Sequence, residues 1–186
     1  MLKASAISAL AQAGKNMAFC KKCEVETKGS VVQLLNKVLA DCFVLYVKTL
    51  NFHWNVVGPH FNHVHKLFGD LYTALGLTID TLAEHIRSMD ERPLAMMSEF
   101  LEHSESVMEE TPTDCSDRNL VSVLARDFKA VTNYISAVVH RIDADFQKDS
   151  ESNFYVDSTI DMLTAMLQEF EKNTWMLKSS QDGQHG

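Results

Sequence analysis

Helix breakers are scarce in this chain, whose 186 residues include only seven Gly and three Pro. The frequent tight turns of an all-β fold need more of both, so long helices are favoured. Unbroken apolar runs are missing as well. The most apolar segment, residues 39–50, is interrupted by Asp41 and Lys48, and nothing approaches the roughly 18 uncharged residues that a membrane span requires. No membrane association is expected. Cysteine is sparse too: Cys20, Cys23, Cys42 and Cys115 are too few for a disulfide framework in a chain of this length. A reducing cytoplasm is the expected compartment. Cys20 and Cys23 have the CxxC spacing of a redox or zinc motif, but no second CxxC follows and no strand precedes them. The plainer reading is two unpaired thiols near a helix end. The first 19 residues lack the continuous apolar core and cleavage site of a secretory signal, although their Ala and Ser content without acids has transit-peptide character.

What is present fits one domain. The net charge of −8 divides unevenly: residues 1–30 carry five Lys and two Glu, whereas the remainder carries 12 basic and 23 acidic residues. An acidic body suits cations and repels nucleic acid, while a basic extension can still reach phosphates. After Gly29-Ser30, Val31, Leu35, Val38, Cys42, Leu45 and Phe52 trace one face of a helix that stops near Gly58-Pro59. A second run, from Phe61 through Phe68, Leu75 and Leu82 to Met89, predicts about 28 residues of helix broken at Arg92-Pro93. Residues 94–101 predict a short connecting helix. A third run spans Leu124 to Phe146 and a fourth Ile160 to Leu177, with a polar loop at residues 148–153 and a polar, frayed tail at 179–186. The expected fold is an all-α four-helix bundle over residues 31–178, with the short helix in the crossover between the second and third long helices.

Four of the eight His gather around the first interhelical turn: His53, His60, His63 and His65. His53 lies five residues before Gly58 and His65 six after Pro59, so an antiparallel turn brings the two imidazoles to similar heights. Asp80 and Glu84, at i and i+4, share a face of the second helix. They cannot meet the histidines within one chain, because the stretch from His65 to Asp80 spans about 22 Å of helix. A two-fold axis crossing the second helices antiparallel closes that gap twice per dimer. Two imidazoles with two carboxylates suit an intermediate divalent ion such as Fe(II). The competing plain reading is a solvated carboxylate pair and histidines without a role. Bundles that hold two irons inside one subunit use Glu-x-x-His, and that motif is absent.

Residues 51–84, NFHWNVVGPHFNHVHKLFGDLYTALGLTIDTLAE, resemble the Dps family, the DNA-binding proteins from starved cells, which are small relatives of ferritin. The family motif begins His-Trp-Asn-Val-x-Gly, here residues 53–58, and its iron ligands follow at fixed offsets that land on His65, Asp80 and Glu84. The likeness covers residues 31–178, through Glu171-Lys172-Asn173-Thr174-Trp175-Met176-Leu177.

The resemblance implies a ferritin-like bundle assembled as a hollow dodecamer, with a ferroxidase site of His53, His65, Asp80 and Glu84 on each two-fold interface. Fe(II) is then oxidised, preferably by hydrogen peroxide, and stored as ferric mineral. One position departs from the pattern: many members carry Asp sixteen residues after the motif's His, where this chain has Gly69. Asp70 is turned by about 100° from it and takes the role of a cavity-facing acid that nucleates mineral. A weaker second iron position follows. Gly69 and Gly76, seven apart, offer an alternative use in close helix contact across the two-fold. Trp54 is placed near the iron as a sink for oxidising equivalents, or as an interface anchor. Asp157 and Asp161, with Asp149 and Glu151 nearby, are expected to line acidic three-fold pores, the alternative being helix N-terminal charge compensation. Lys3, Lys15, Lys21, Lys22 and Lys28 supply few phosphate contacts per chain, multiplied by assembly into non-specific DNA binding; an alternative is an extra helix. The competing function is a DNA-binding, nucleoid-protecting shell whose metal site is weakened or occupied by zinc.

Overall fold

The structure, a computed structural model, describes residues 31–146 and 153–182. The expectations for Cys20, Cys23, the N-terminal lysines, Asp149 and Glu151 lie outside the described residues. Five helices occur among the described residues: α1 (Val31–Asn55), α2 (Phe61–Ser88), α3 (Met97–His103), α4 (Asp117–Phe146) and α5 (Asn153–Asp182). The four long helices form the bundle and the seven-residue α3 lies in the crossover. Each long helix contributes a fully buried phenylalanine: Phe52, Phe68, Phe128 and Phe170. Truncating one such side chain to Ala costs about 3–5 kcal/mol. Among the described residues no helix is long and apolar enough to cross a membrane.

Chain direction follows from two contacts. Residues 56–60 reverse the chain, so α1 and α2 form an antiparallel pair. The same turn is strapped to the start of α4: the Val57 N–H donates to the Cys115 carbonyl at 3.0 Å, and the Asp117 N–H donates to the Val57 carbonyl at 2.8 Å. Therefore α4 begins where α2 begins, and the long connection between them returns along the bundle, the single-crossover topology of ferritin-like folds.

The two charges that interrupt the apolar run of α1 hold this crossover in place. Asp41 is fully buried, and its carboxylate accepts from the Glu105 N–H (2.8 Å), the Ser106 N–H (2.9 Å) and the Ser106 hydroxyl (2.6 Å). Lys48, also buried, donates to Asp127 of α4 at 2.6 Å and to Glu110 of the crossover at 3.2 Å. Buried charges persist when paired and hydrogen-bonded in this way. Cys42, on the same helix, is inert core: burial, reinforced by the Asp41 charge, pushes its thiol far up.

Several boundaries differ from the sequence-based expectation. Pro93 does not end α2, which stops at Ser88. Asp90, with φ 60°, adopts the left-handed conformation, and the Glu91 and Asp90 N–H groups bond back to the Ile86 and Arg87 carbonyls, a Schellman closure. The short helix begins at Met97, not at Leu94, because the Glu99 carboxylate accepts from the Ala95 and Met96 N–H groups and caps the helix there. Asn153 already belongs to α5, and the residues expected to fray from Ser179 remain helical to Asp182.

Candidate metal centre

The turn at residues 56–60 sets the register of His53 and His65. Their rings stack at a centroid distance of 3.8 Å and an interplanar angle of 21°. Each Nδ1 faces the other residue's backbone carbonyl: His53 Nδ1 lies 2.7 Å from the His65 carbonyl oxygen, and His65 Nδ1 lies 2.8 Å from that of His53. A carbonyl only accepts, so both Nδ1 atoms carry the proton. In the neutral ring that tautomer leaves the Nε2 lone pair free for a metal, with ring orientation fixed by the opposite nitrogen. Phe61 stacks on His65 at 5.0 Å, and Tyr72 sets its edge against His53 at 5.1 Å.

Asp80 and Glu84 are exposed and stand apart from this pair, further along α2. Among the described residues no group of three or more His, Cys, Asp or Glu in one chain is placed to hold a metal ion. Next to Glu84, His85 turns towards α5, where its Nε2–H donates to the Thr159 hydroxyl at 2.8 Å. The Thr159 hydroxyl donates in turn to the Tyr155 carbonyl at 2.6 Å, and burial lowers the His85 pKa, favouring the neutral ring. This bond pins the carboxylate-bearing stretch of α2 to α5.

Gly69 lies one turn beyond His65, where an added Cβ would sit 3.4 Å from His53 Cε1. Gly76 approaches Tyr46 Cε2 at 3.7 Å in the same sense. Within the chain, the Cβ positions of both glycines face side chains of α1. Asp70 is exposed and ion-paired with Lys66 at 2.7 Å, an arrangement worth about 0.3–0.5 kcal/mol. Asp157 and Asp161 are exposed near the start of α5. His60 and His63 are exposed as well, and the His60 N–H donates to Asp117 Oδ2 at 2.8 Å. Phe61 and Tyr72 were not singled out in the sequence, although each has a spacing signal, four residues before His65 and seven after it. Asp117 has no such signal, being 57 residues from His60.

Two stacked imidazoles in a helical hairpin, inside a bundle with one long crossover, define a ferritin-like protein, and residues 32–182 match the ferritin-like domain. The DNA protection during starvation protein of Brevibacillus brevis is 39% identical over 149 residues, covering 80% of this chain and 93% of the relative. The chain belongs to the Dps family. The crystal structure of Dps from Staphylococcus aureus superposes with a TM-score of 0.71 at 30% identity, covering 81% of this chain and 94% of that one. A Dps from Vibrio cholerae O1, described as a member of a broad superfamily of ferritin-like diiron-carboxylate proteins, gives a TM-score of 0.69 at 27% identity, with 80% and 87% covered.

Proposed function

We propose that the protein is a ferroxidase that oxidises Fe(II), with hydrogen peroxide as the preferred oxidant, and retains the ferric product as mineral inside a hollow dodecamer. The observation that carries this reading is the reciprocal bonding of His53 and His65, which occupies both Nδ1 atoms and leaves the Nε2 of each stacked ring as its free ligand atom. Iron is the substrate. His53 and His65 of one subunit hold it together with Asp80 and Glu84 of a second copy across a two-fold axis; the imidazoles suit the ferrous ion and the carboxylates favour the ferric product. Leu77 supports an interface on this face of α2. It is 68% exposed and shares the stripe of Asp80 and Glu84, at steps of three and four.

Ferrous iron mixed with substoichiometric peroxide under anaerobic conditions should give a soluble ferric core that co-migrates with the assembled protein. Immediate precipitation, at the rate seen without protein, rejects the reading. Asp157 and Asp161 are proposed as the acidic entry for iron, and Asp70 as a cavity-side acid. DNA is the proposed further partner, through the five lysines of residues 1–30, since the rest of the chain is strongly acidic. Full-length protein is expected to retard linear DNA increasingly as salt is lowered, and protein lacking residues 1–28 to leave it free. Equal retardation by both excludes the lysines as the contact.

A further inference from the structure

We propose that His85 and Thr159 form a positioning link that sets Asp80 and Glu84 for iron, so that ferrous affinity at the shared site is controlled from the start of α5. This rests on the ferroxidase reading and deepens it.

Asp80 and Glu84 are exposed and have no hydrogen bond or ion pair among the described residues of their own chain. Their aim therefore depends on the rotational setting of α2. On the opposite side of that helix Leu82 and Ile86 are fully buried, but apolar burial is non-directional and lets a helix roll slightly. A hydrogen bond fixes both a distance and an angle. Between Asp70 and Ser88, His85 is the one side chain that hydrogen-bonds to another helix among the described residues. It follows Glu84 by one residue, about 100° around the helix, so holding its ring holds the azimuth of both carboxylates. Its Nε2–H donates to the Thr159 hydroxyl at 2.8 Å. Thr159 is fully buried and gives its one proton to the Tyr155 carbonyl at 2.6 Å. Towards His85 that oxygen can only accept, and the direction of the bond is locked. Thr159 also stands between Asp157 and Asp161, so one buried hydroxyl joins the proposed entry acids to the carboxylate half of the site.

Small rolls matter here. A carboxylate about 5–6 Å from the helix axis moves by about 2 Å when the helix turns by about 20°, whereas metal–ligand distances hold to about 0.2 Å. Groups that orient a ligand from behind change metal affinity by about 10–100-fold when removed. The link acts on the carboxylates of its own subunit, while the histidines of that subunit serve the other site of the dimer. A defect at Thr159 must therefore follow the carboxylates and spare the histidines.

The test is calorimetric titration of Fe(II), without oxidant, into the assembled full-length protein, beside initial rates with hydrogen peroxide over a range of Fe(II). Thr159→Val, which removes the hydroxyl and keeps the shape, should weaken ferrous binding by about tenfold and raise KM alike, with a much smaller change in kcat. His85→Leu should do the same from the other partner. Thr159→Ser and His85→Gln, each of which keeps its hydrogen-bonding group, should bind iron as the wild type does. Co-assembly locates the effect. Thr159→Val subunits mixed with subunits carrying His53→Ala and His65→Ala should regain sites of wild-type affinity, since in mixed dimers those sites take their carboxylates from subunits with an intact link. Mixed with subunits carrying Asp80→Ala and Glu84→Ala, they should show weak sites only. A merely structural role lowers the melting temperature and gives the same affinities in both mixtures. Wild-type affinity in Thr159→Val and His85→Leu, a loss in Thr159→Ser as large as in Thr159→Val, or equal affinities in the two mixtures overturns this proposal alone. Wild-type protein that binds no ferrous iron, or protein carrying Asp80→Ala and Glu84→Ala that binds it undiminished, overturns it together with the ferroxidase reading.

Discussion

Subunits carrying His53→Ala and His65→Ala, inactive by themselves, are expected to regain iron oxidation when co-assembled with subunits carrying Asp80→Ala and Glu84→Ala. In a mixed dimer across a two-fold axis, one site combines the two sets of alanines and is empty of ligands. The other combines intact histidines with intact carboxylates. Random assembly from equal amounts makes half the dimers mixed, so roughly one quarter of wild-type activity returns. A site closed within one chain predicts no recovery at any ratio, since every subunit lacks part of it. Initial rates of ferric absorbance, measured on co-refolded mixtures, decide between the two. The expectation rests on the separation of Asp80 from His65, about 22 Å along one helix, and on the stacked histidine pair belonging to no group of three or more potential ligands among the described residues of its own chain.

Gly58→Ala is expected to destabilise the protein by about 3–5 kcal/mol, from the sum of a backbone penalty and lost hydrogen bonds. Gly58 has φ 140°, which L side chains rarely adopt, at a cost of about 1–3 kcal/mol. A Cβ there would also lie 2.7 Å from Asp117 Cγ and Oδ2, and 2.9 Å from Oδ1. That carboxylate is buried and engaged, accepting from the His60 N–H at 2.8 Å and from the Arg118 N–H at 2.7 Å. Displacing it breaks two part-buried hydrogen bonds to a charged group, each worth about 1.5–3 kcal/mol. Thermal unfolding at matched protein concentration should shift down by roughly 10 °C for a chain of this size. Asp117→Ala in the Gly58→Ala background should cost less than it does alone, because the clash is already gone. Strict additivity of the two changes rejects the clash as the cause. Since this turn sets the register of His53 against His65, the variant should also bind ferrous iron more weakly than wild type.

Much of the fold is legible in periodicity. Apolar residues at steps of three and four locate the four long helices, and Gly58-Pro59 marks the reversal between the first two. The ends of helices are less legible because capping is decided by individual groups. Asp90 in a left-handed conformation stops α2 before Pro93 is reached, and the Glu99 carboxylate delays α3 to Met97. The register of His53 and His65 is readable because both lie within one hairpin, a short distance from its pivot. Tyr46 and Tyr72 obey the same arithmetic, but seven-residue spacing of aromatics is so common in helix cores that this signal alone does not single them out until the rings are placed.

The scarcity of Gly and Pro and the lack of an uncharged apolar run pointed, by themselves, to an all-α protein, and among the described residues no helix is long and apolar enough to cross a membrane. Asp41 and Lys48 mark where that reading ends. In the sequence they are charges that interrupt an apolar stretch. In the folded chain both are buried, one bonded to Glu105 and Ser106 and the other paired with Asp127 and Glu110. Periodicity reports which face of a helix is apolar, because that depends on the residue and its near neighbours. Whether a charge on that face is tolerated depends on partners some 60 to 80 residues away, and only the tertiary structure brings those to it.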